Sequence, residues 1–170
     1  MSVEALFLQF SVNKLTQLAD RIEVCLGKLN DDQVWARGQE NENAIGNLAL
    51  HLAGNVRQWI ISSLGNNPDN RDRDSEFDAR GGYTRAELST RLRKTVEQAT
   101  QVISGLTTAQ LTRMYEVQNY RTSGVEAVYH VVEHFSQHTG QIIFATKMLS
   151  GEDLGFYRHL NNPAHAERVP

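Results

Sequence analysis

Cysteine is nearly missing. Cys25 is the only one in 170 residues, so no disulfide can close within the chain, which fits a reducing, cytoplasmic setting. Proline is scarce too: Pro68, Pro163 and Pro170 all fall outside the long periodic segments, leaving those segments free to be helices. No apolar run approaches the roughly 20 residues that span a bilayer. Met1-Ser2-Val3-Glu4 has neither the basic flank nor the apolar stretch of a secretory leader, so a membrane partner and export are not expected. Basic charge is not in excess, since 17 Lys and Arg face 20 Asp and Glu for a net charge of −3 and a pI near 6.1. That leaves no global field for nucleic acid. A phosphate-binding glycine loop and a nucleophile elbow are also missing. Apolar residues are not: Leu, Ile, Val and Phe make up about a quarter of the chain, above the level at which a sequence struggles to bury a core. A single domain over residues 1–170 is expected.

The apolar spacing is helical. Leu15, Leu18, Ile22, Cys25 and Leu26 mark a first helix from about Ser2 to Leu26. Ile45, Leu48, Leu52, Val56, Trp59 and Ile60 mark a second, from about Asn43 to Leu64. Thr84-Arg85-Ala86-Glu87 reads as a capping box, in which each of two side chains satisfies an orphan backbone N–H. It opens a third helix through Leu88, Leu92, Val96, Ala99 and Val102 to Gly105. A second box, Ser123-Gly124-Val125-Glu126, opens a fourth helix that runs through Phe135 and Ile142 to Leu149 before Gly151. No stretch alternates with period two, so the fold class is all-α.

A polar segment from Gly65 to Gly82 joins the second and third helices. It is longer than most bundle connections. Eighteen residues at roughly 3.3 Å each can travel the length of a 20-residue helix, about 30 Å. It therefore reads as a crossover in a four-helix bundle of up-down-down-up order. Leu29-Asn30-Asp31-Asp32-Gln33-Val34 and Leu106-Thr107-Thr108-Ala109-Gln110-Leu111 echo each other, each reading as a short capped turn after an odd-numbered helix. Residues 152–170 read as a C-terminal tail.

Six histidines are present: His51, His130, His134, His138, His159 and His165. Three recur every fourth residue on the last helix. His130 and His138 are separated by roughly 12 Å of rise and cannot share one ion, whereas adjacent members can. The core direction is set by Val125, Val128, Val131, Val132, Phe135, Ile142 and Leu149. His138 lies roughly 50° from it, His134 roughly 90° and His130 roughly 130°. His134 and His138 are thus the better pair, with His130 on the outer flank. One helix supplies only two ligands, and spacing nominates no third. His51 shares its stripe with Asn47, Gly54, Asn55 and Gln58 and reads, unaided, as a surface histidine. Cys25 reads as a buried thiol beside Ile22 and Leu26, and Trp35 and Trp59 as core or dimer contacts.

Leu50-His51-Leu52-Ala53-Gly54-Asn55, followed by His134-Phe-Ser-Gln-His138-Thr-Gly-Gln141, resembles the DinB-like superfamily of small bacterial four-helix proteins. The likeness runs from the first helix to Asp153-Leu-Gly-Phe156-Tyr157. Arg71-Asp-Arg73-Asp-Ser-Glu76-Phe77 is similar to the crossover of an uncharacterised subgroup. The resemblance implies a three-histidine site, His51, His134 and His138, for a divalent ion such as zinc, nickel, iron or manganese. It implies a homodimer, and it turns the stripe around His51 into the wall of a cleft. Gln141, three residues past His138, can orient it by a hydrogen bond, and Glu133 and Gln137 are expected to be partly exposed.

Three imidazoles leave coordination positions open for water or substrate, the pattern of a catalytic site. Relatives of this resemblance include S-transferases and an isomerase that use low-molecular-weight thiols. The implied function is a metal-dependent enzyme on a small-molecule substrate, a thiol S-transferase or hydrolase. Arg71, Arg73, Arg80 and Arg121 are candidates for a thiol cofactor's carboxylates. The alternatives are a non-catalytic metal- or ligand-binding module of stress response, and an interaction protein in which the histidines are a relic.

Overall fold

Caps and periodicity define the helices locally. In a computed structural model of the chain, which describes residues 1–161 and 169–170, α1 spans Val3–Gly27 and the Ser2 hydroxyl accepts from the Ala5 N–H. Pro163, His165 and the 162–168 part of the expected tail lie outside the described residues. The echoed segments form five-residue helices, α2 (Asp31–Trp35) and α6 (Thr108–Thr112). Reciprocal boxes close both, Asn30 with Gln33 and Thr107 with Gln110. Helix α3 (Ile45–Val56) continues into a π-helical stretch, Arg57–Leu64. The expected boxes open α5 (Arg85–Ser104) and α7 (Gly124–Ser150), and Gly151 ends α7 in the left-handed conformation with φ +70°.

The fold is helical, with two features beyond the sequence reading. The 65–82 segment carries a short helix, α4 (Arg73–Asp78), capped by Asp72 accepting from the Ser75 N–H at 3.2 Å. Between α6 and α7, strands β1 (Met114–Val117) and β2 (Tyr120–Ser123) form an antiparallel hairpin. Its two-residue turn, Gln118-Asn119, has φ of +51° and +65°, as the tight hairpin turns that match strand twist require.

Helix α1 packs on α5 and α7, and α3 packs on the same two. Leu15, Ile22, Leu26, Leu52, Ile60, Leu88, Ile103, Val128, Phe135 and Ile142 are each less than 2% exposed at the centre. Each such side chain contributes about 1.5–3 kcal/mol by leaving water. Val125 and Leu149, expected to face the core, are 41% and 38% exposed, because each lies in an end turn of α7, past the neighbours that cover its middle. The helix ends are tied by polar contacts. The Arg85 N–H donates to Asp31 at 2.7 Å, and the Arg85 guanidinium reaches the Gly27 carbonyl. Thr108 donates to Glu4 at 2.6 Å, and Lys28 meets Glu152 at 2.6 Å. The Trp35 indole donates to the Tyr83 carbonyl at 2.8 Å, while Gly46 lies against the Trp35 ring. No helix among the described residues is long and apolar enough to cross a membrane.

Candidate metal centre

Two helices face each other with residues spaced by four. Helix α3 and its π-helical extension carry His51, Asn55 and Trp59; α7 carries His130, His134 and His138. The first turn of α3 is held by Asn47, whose side-chain oxygen accepts from the Ala44 N–H at 3.1 Å. Its amide donates to the carbonyls of Glu76 and Ala79, at 2.8 and 2.9 Å. Asn47 thereby ties the start of α3 to the far end of the 65–82 segment, and the stripe assigned to the surface is covered. His51 is 5% exposed.

His51, His134 and His138 each offer a ring nitrogen, and the three lie within 4.8 Å of one another. His51 Nε2 and His134 Nε2 are 3.1 Å apart. His51 Nδ1 lies 3.0 Å from Glu76 Oε2, and His138 Nδ1 lies 2.6 Å from Gln141 Oε1. An Nδ1–H donating to each oxygen leaves the Nε2 lone pair of both rings free. His134 Nδ1 is buried without a partner.

The surroundings of His134 and His138 disfavour the charged form. Burial first, then the neighbouring His138, His51, His130 and Arg71, push His134 down from 6.5 to about 3. Burial also lowers His138, against the opposing effect of the hydrogen bond that His138 donates to Gln141. Burial would raise the Glu76 carboxyl, but hydrogen bonds from Arg71 and His51 outweigh it and hold the group below the usual range. Neutral imidazoles are the metal-binding form. Nitrogens about 2.0–2.1 Å from a zinc-sized ion sit about as far from one another as the two Nε2 atoms do here. Two rings carry an oxygen partner on the opposite nitrogen, and a nitrogen–nitrogen contact joins His51 to His134. This donor set fits a divalent cation.

The cluster borders a cavity of about 540 Å³ lined by His51, His134, His130, Asn55, Trp59 and Tyr120 among others. The β1–β2 hairpin supplies one wall, anchored by Gln118 donating to Gln58 at 2.6 Å. His130 is not on an outer flank. It is half-buried with its ring centroid 4.3 Å from that of Trp59 and 5.5 Å from that of His134, because the π-helical stretch and the hairpin extend past α3 to cover it. Glu133 and Gln137 are exposed. Trp59 is buried and Cys25 is a buried free thiol near Thr146, its pKa raised by burial.

Arg71 does not serve as a free anion-binding group. Its side chain is 3% exposed and engages Glu76 and Gln58. Arg80 turns back onto the carbonyls of Phe77 and Asp78. Arg73 and Arg121 do line the cavity. Glu76 borders the site through His51. Its only signal in the sequence is an acid within a short capped segment, which spacing cannot relate to a histidine 25 residues away.

The family described as a protein of unknown function (DUF1572) matches residues 2–161. A search among curated proteins finds no match. Among solved structures, a conserved protein from Enterococcus faecalis superposes with a TM-score of 0.71 at 15% identity, covering 89% of this chain and 99% of that one. A DinB-like protein from Bacillus subtilis gives 0.66 at 17% identity, covering 86% and 96%. One from Bacillus cereus gives 0.66 at 16%, covering 87% and 93%. At these identities the likeness is one of fold. The chain thus belongs to the DUF1572 family of proteins of unknown function, and its helical bundle is DinB-like.

Proposed function

We propose that the protein binds one divalent ion through His51, His134 and His138 and acts as a metal-dependent enzyme on a small molecule drawn into the adjoining cavity. The reaction class is S-transfer from a low-molecular-weight thiol, or hydrolysis; the setting is the cytoplasm and the assembly a homodimer. The observation that carries the reading is the convergence of three histidine ring nitrogens within 4.8 Å at the edge of a cavity large enough for a small ligand. A bound divalent ion supplies Lewis acidity and lowers the pKa of a water or thiol beside it. The chain's own groups do the rest. Gln141 orients His138 through Nδ1, Trp59 and His130 form an aromatic wall that excludes water, and the guanidiniums of Arg73 and Arg121 at the cavity favour an anionic end on the ligand. Zinc, nickel and iron suit an all-imidazole donor set better than manganese, which favours oxygen.

Elemental analysis of tag-free protein tests the site. Close to one divalent ion per chain is expected, lost in His134→Ala and kept in His130→Ala, since His130 cannot reach an ion shared with His138. The reverse ordering would overturn the assignment. Consumption of a low-molecular-weight thiol with an electrophile, dependent on the ion, then separates the enzyme from a non-catalytic metal-binding module.

A further inference from the structure

The 65–82 segment does more than connect helices. Arg71 grips the Glu76 carboxylate with two parallel hydrogen bonds, Nε to Oε1 at 2.8 Å and Nη2 to Oε2 at 2.9 Å. Its third nitrogen, Nη1, is spent on Gln58 Oε1 at 2.9 Å. Held at both oxygens, the carboxylate cannot swing, and Oε2 also faces His51 Nδ1 at 3.0 Å. Arg71 Nη2 lies 3.1 Å from the same ring nitrogen, but it can only donate, so both groups share Oε2. Gly54, one turn after His51, makes the approach possible: a Cβ there would collide with the Glu76 carboxylate and come within 2.9 Å of Arg71 Nε.

We propose that Glu76 is a positioning residue: clamped by Arg71 in the space Gly54 leaves open, it keeps the proton of His51 on Nδ1 and so frees Nε2 for the histidine cluster. A carboxylate can only accept, so the ring nitrogen facing it must carry the proton. Gln141 has the same relation to His138, but its amide can turn to present a donor, whereas the carboxylate cannot. This rests on the metal-site reading for its functional meaning, although the tautomer is a property of the chain alone.

Glu76→Gln separates the two roles of the carboxylate. Glutamine has one oxygen, and the buried guanidinium of Arg71, which can only donate, takes it. The NH2 then faces His51 and donates to Nδ1, moving the ring proton to Nε2. Because this change also leaves the 3%-exposed Arg71 side chain without its countercharge, Gly54→Ala serves as a second variant. It removes no polar group, introduces the better helix former and displaces the carboxylate sterically.

The test reads the His51 tautomer by nitrogen-15 NMR of the metal-free full chain, assigned with His51→Asn, alongside zinc affinity. The wild type is expected to show Nδ1–H at His51. Each folded variant is expected to show Nε2–H and zinc binding weakened about tenfold or more. Nε2–H in the wild type, or variants that keep both the tautomer and the affinity, would overturn the proposal. Zinc failing to bind a wild type that shows Nδ1–H would sink the metal reading and leave the role of Glu76 standing.

Discussion

Burial and three imidazole neighbours hold His134 near 3 in the folded chain, while the unfolded chain takes up a proton there around 6.5. Between those values the unfolded state binds more protons, so stability is full above 6.5 and falls as pH drops. His138 and His130 are also lowered, both chiefly by burial, and act with the same sign. Glu76, held below its ordinary 4.5, contributes stability that is lost only at lower pH. The histidines therefore dominate from about pH 6.5 to 4.5. Metal-free protein in chelator should lose several degrees of thermal midpoint from about pH 7 to about pH 5, at roughly 2–4 °C per kcal/mol for this chain length. His134→Ala should flatten that slope without removing it. An unchanged slope would show that His134 is not held neutral by its surroundings. At this scale His134 and His138 were legible from their spacing and angle on one helix. His51 was not, because its cover comes from Asn47, Glu76 and the 65–82 segment, none of which periodicity can see.

The helices follow from local chemistry. Four predicted caps, Asn30, Thr84, Thr107 and Ser123, each accept the hydrogen bond expected of them. Helix α4 and the hairpin were not legible, for different reasons. Six residues hold too little periodicity to recognise, and α4 persists because Asn47 binds the carbonyls at its end. The hairpin turns on Gln118-Asn119 rather than a glycine pair, and non-glycine residues at positive φ are uncommon. Gly124 reports how closely the hairpin's end and α6 meet. An added Cβ would lie 2.9 Å from the Leu111 Cα, a backbone contact that cannot rotate away. Gly124→Ala should destabilise by roughly 1–3 kcal/mol, read as a lower urea midpoint. Gly140→Ala, with nothing within 4 Å of its Cβ, should be neutral or stabilising. Equal effects at both positions would deny the close approach.

Across the whole molecule, we propose the up-down-down-up order from contacts at the helix ends. The start of α5 touches the end of α1 through Arg85, and the ends of α1 and α7 meet at Lys28 and Glu152. Trp35 links Gly46 near the start of α3 to Tyr83 just before α5. Spin labels at the exposed Asn43 and Ala86 should therefore lie at one end of the bundle. A separation near the roughly 30 Å length of a 20-residue helix would refute parallel α3 and α5. The sequence by itself determined the long helices, their caps and the one-turn spacing of His134 and His138 on α7, because each is encoded within a few turns of chain. Only the tertiary structure decided that His51 is buried, that His130 packs beneath Trp59 and that Glu76 reaches His51. Those relations join residues 25 or more positions apart, and they exist only when packing brings the 65–82 segment and the hairpin against the facing stripes of α3 and α7.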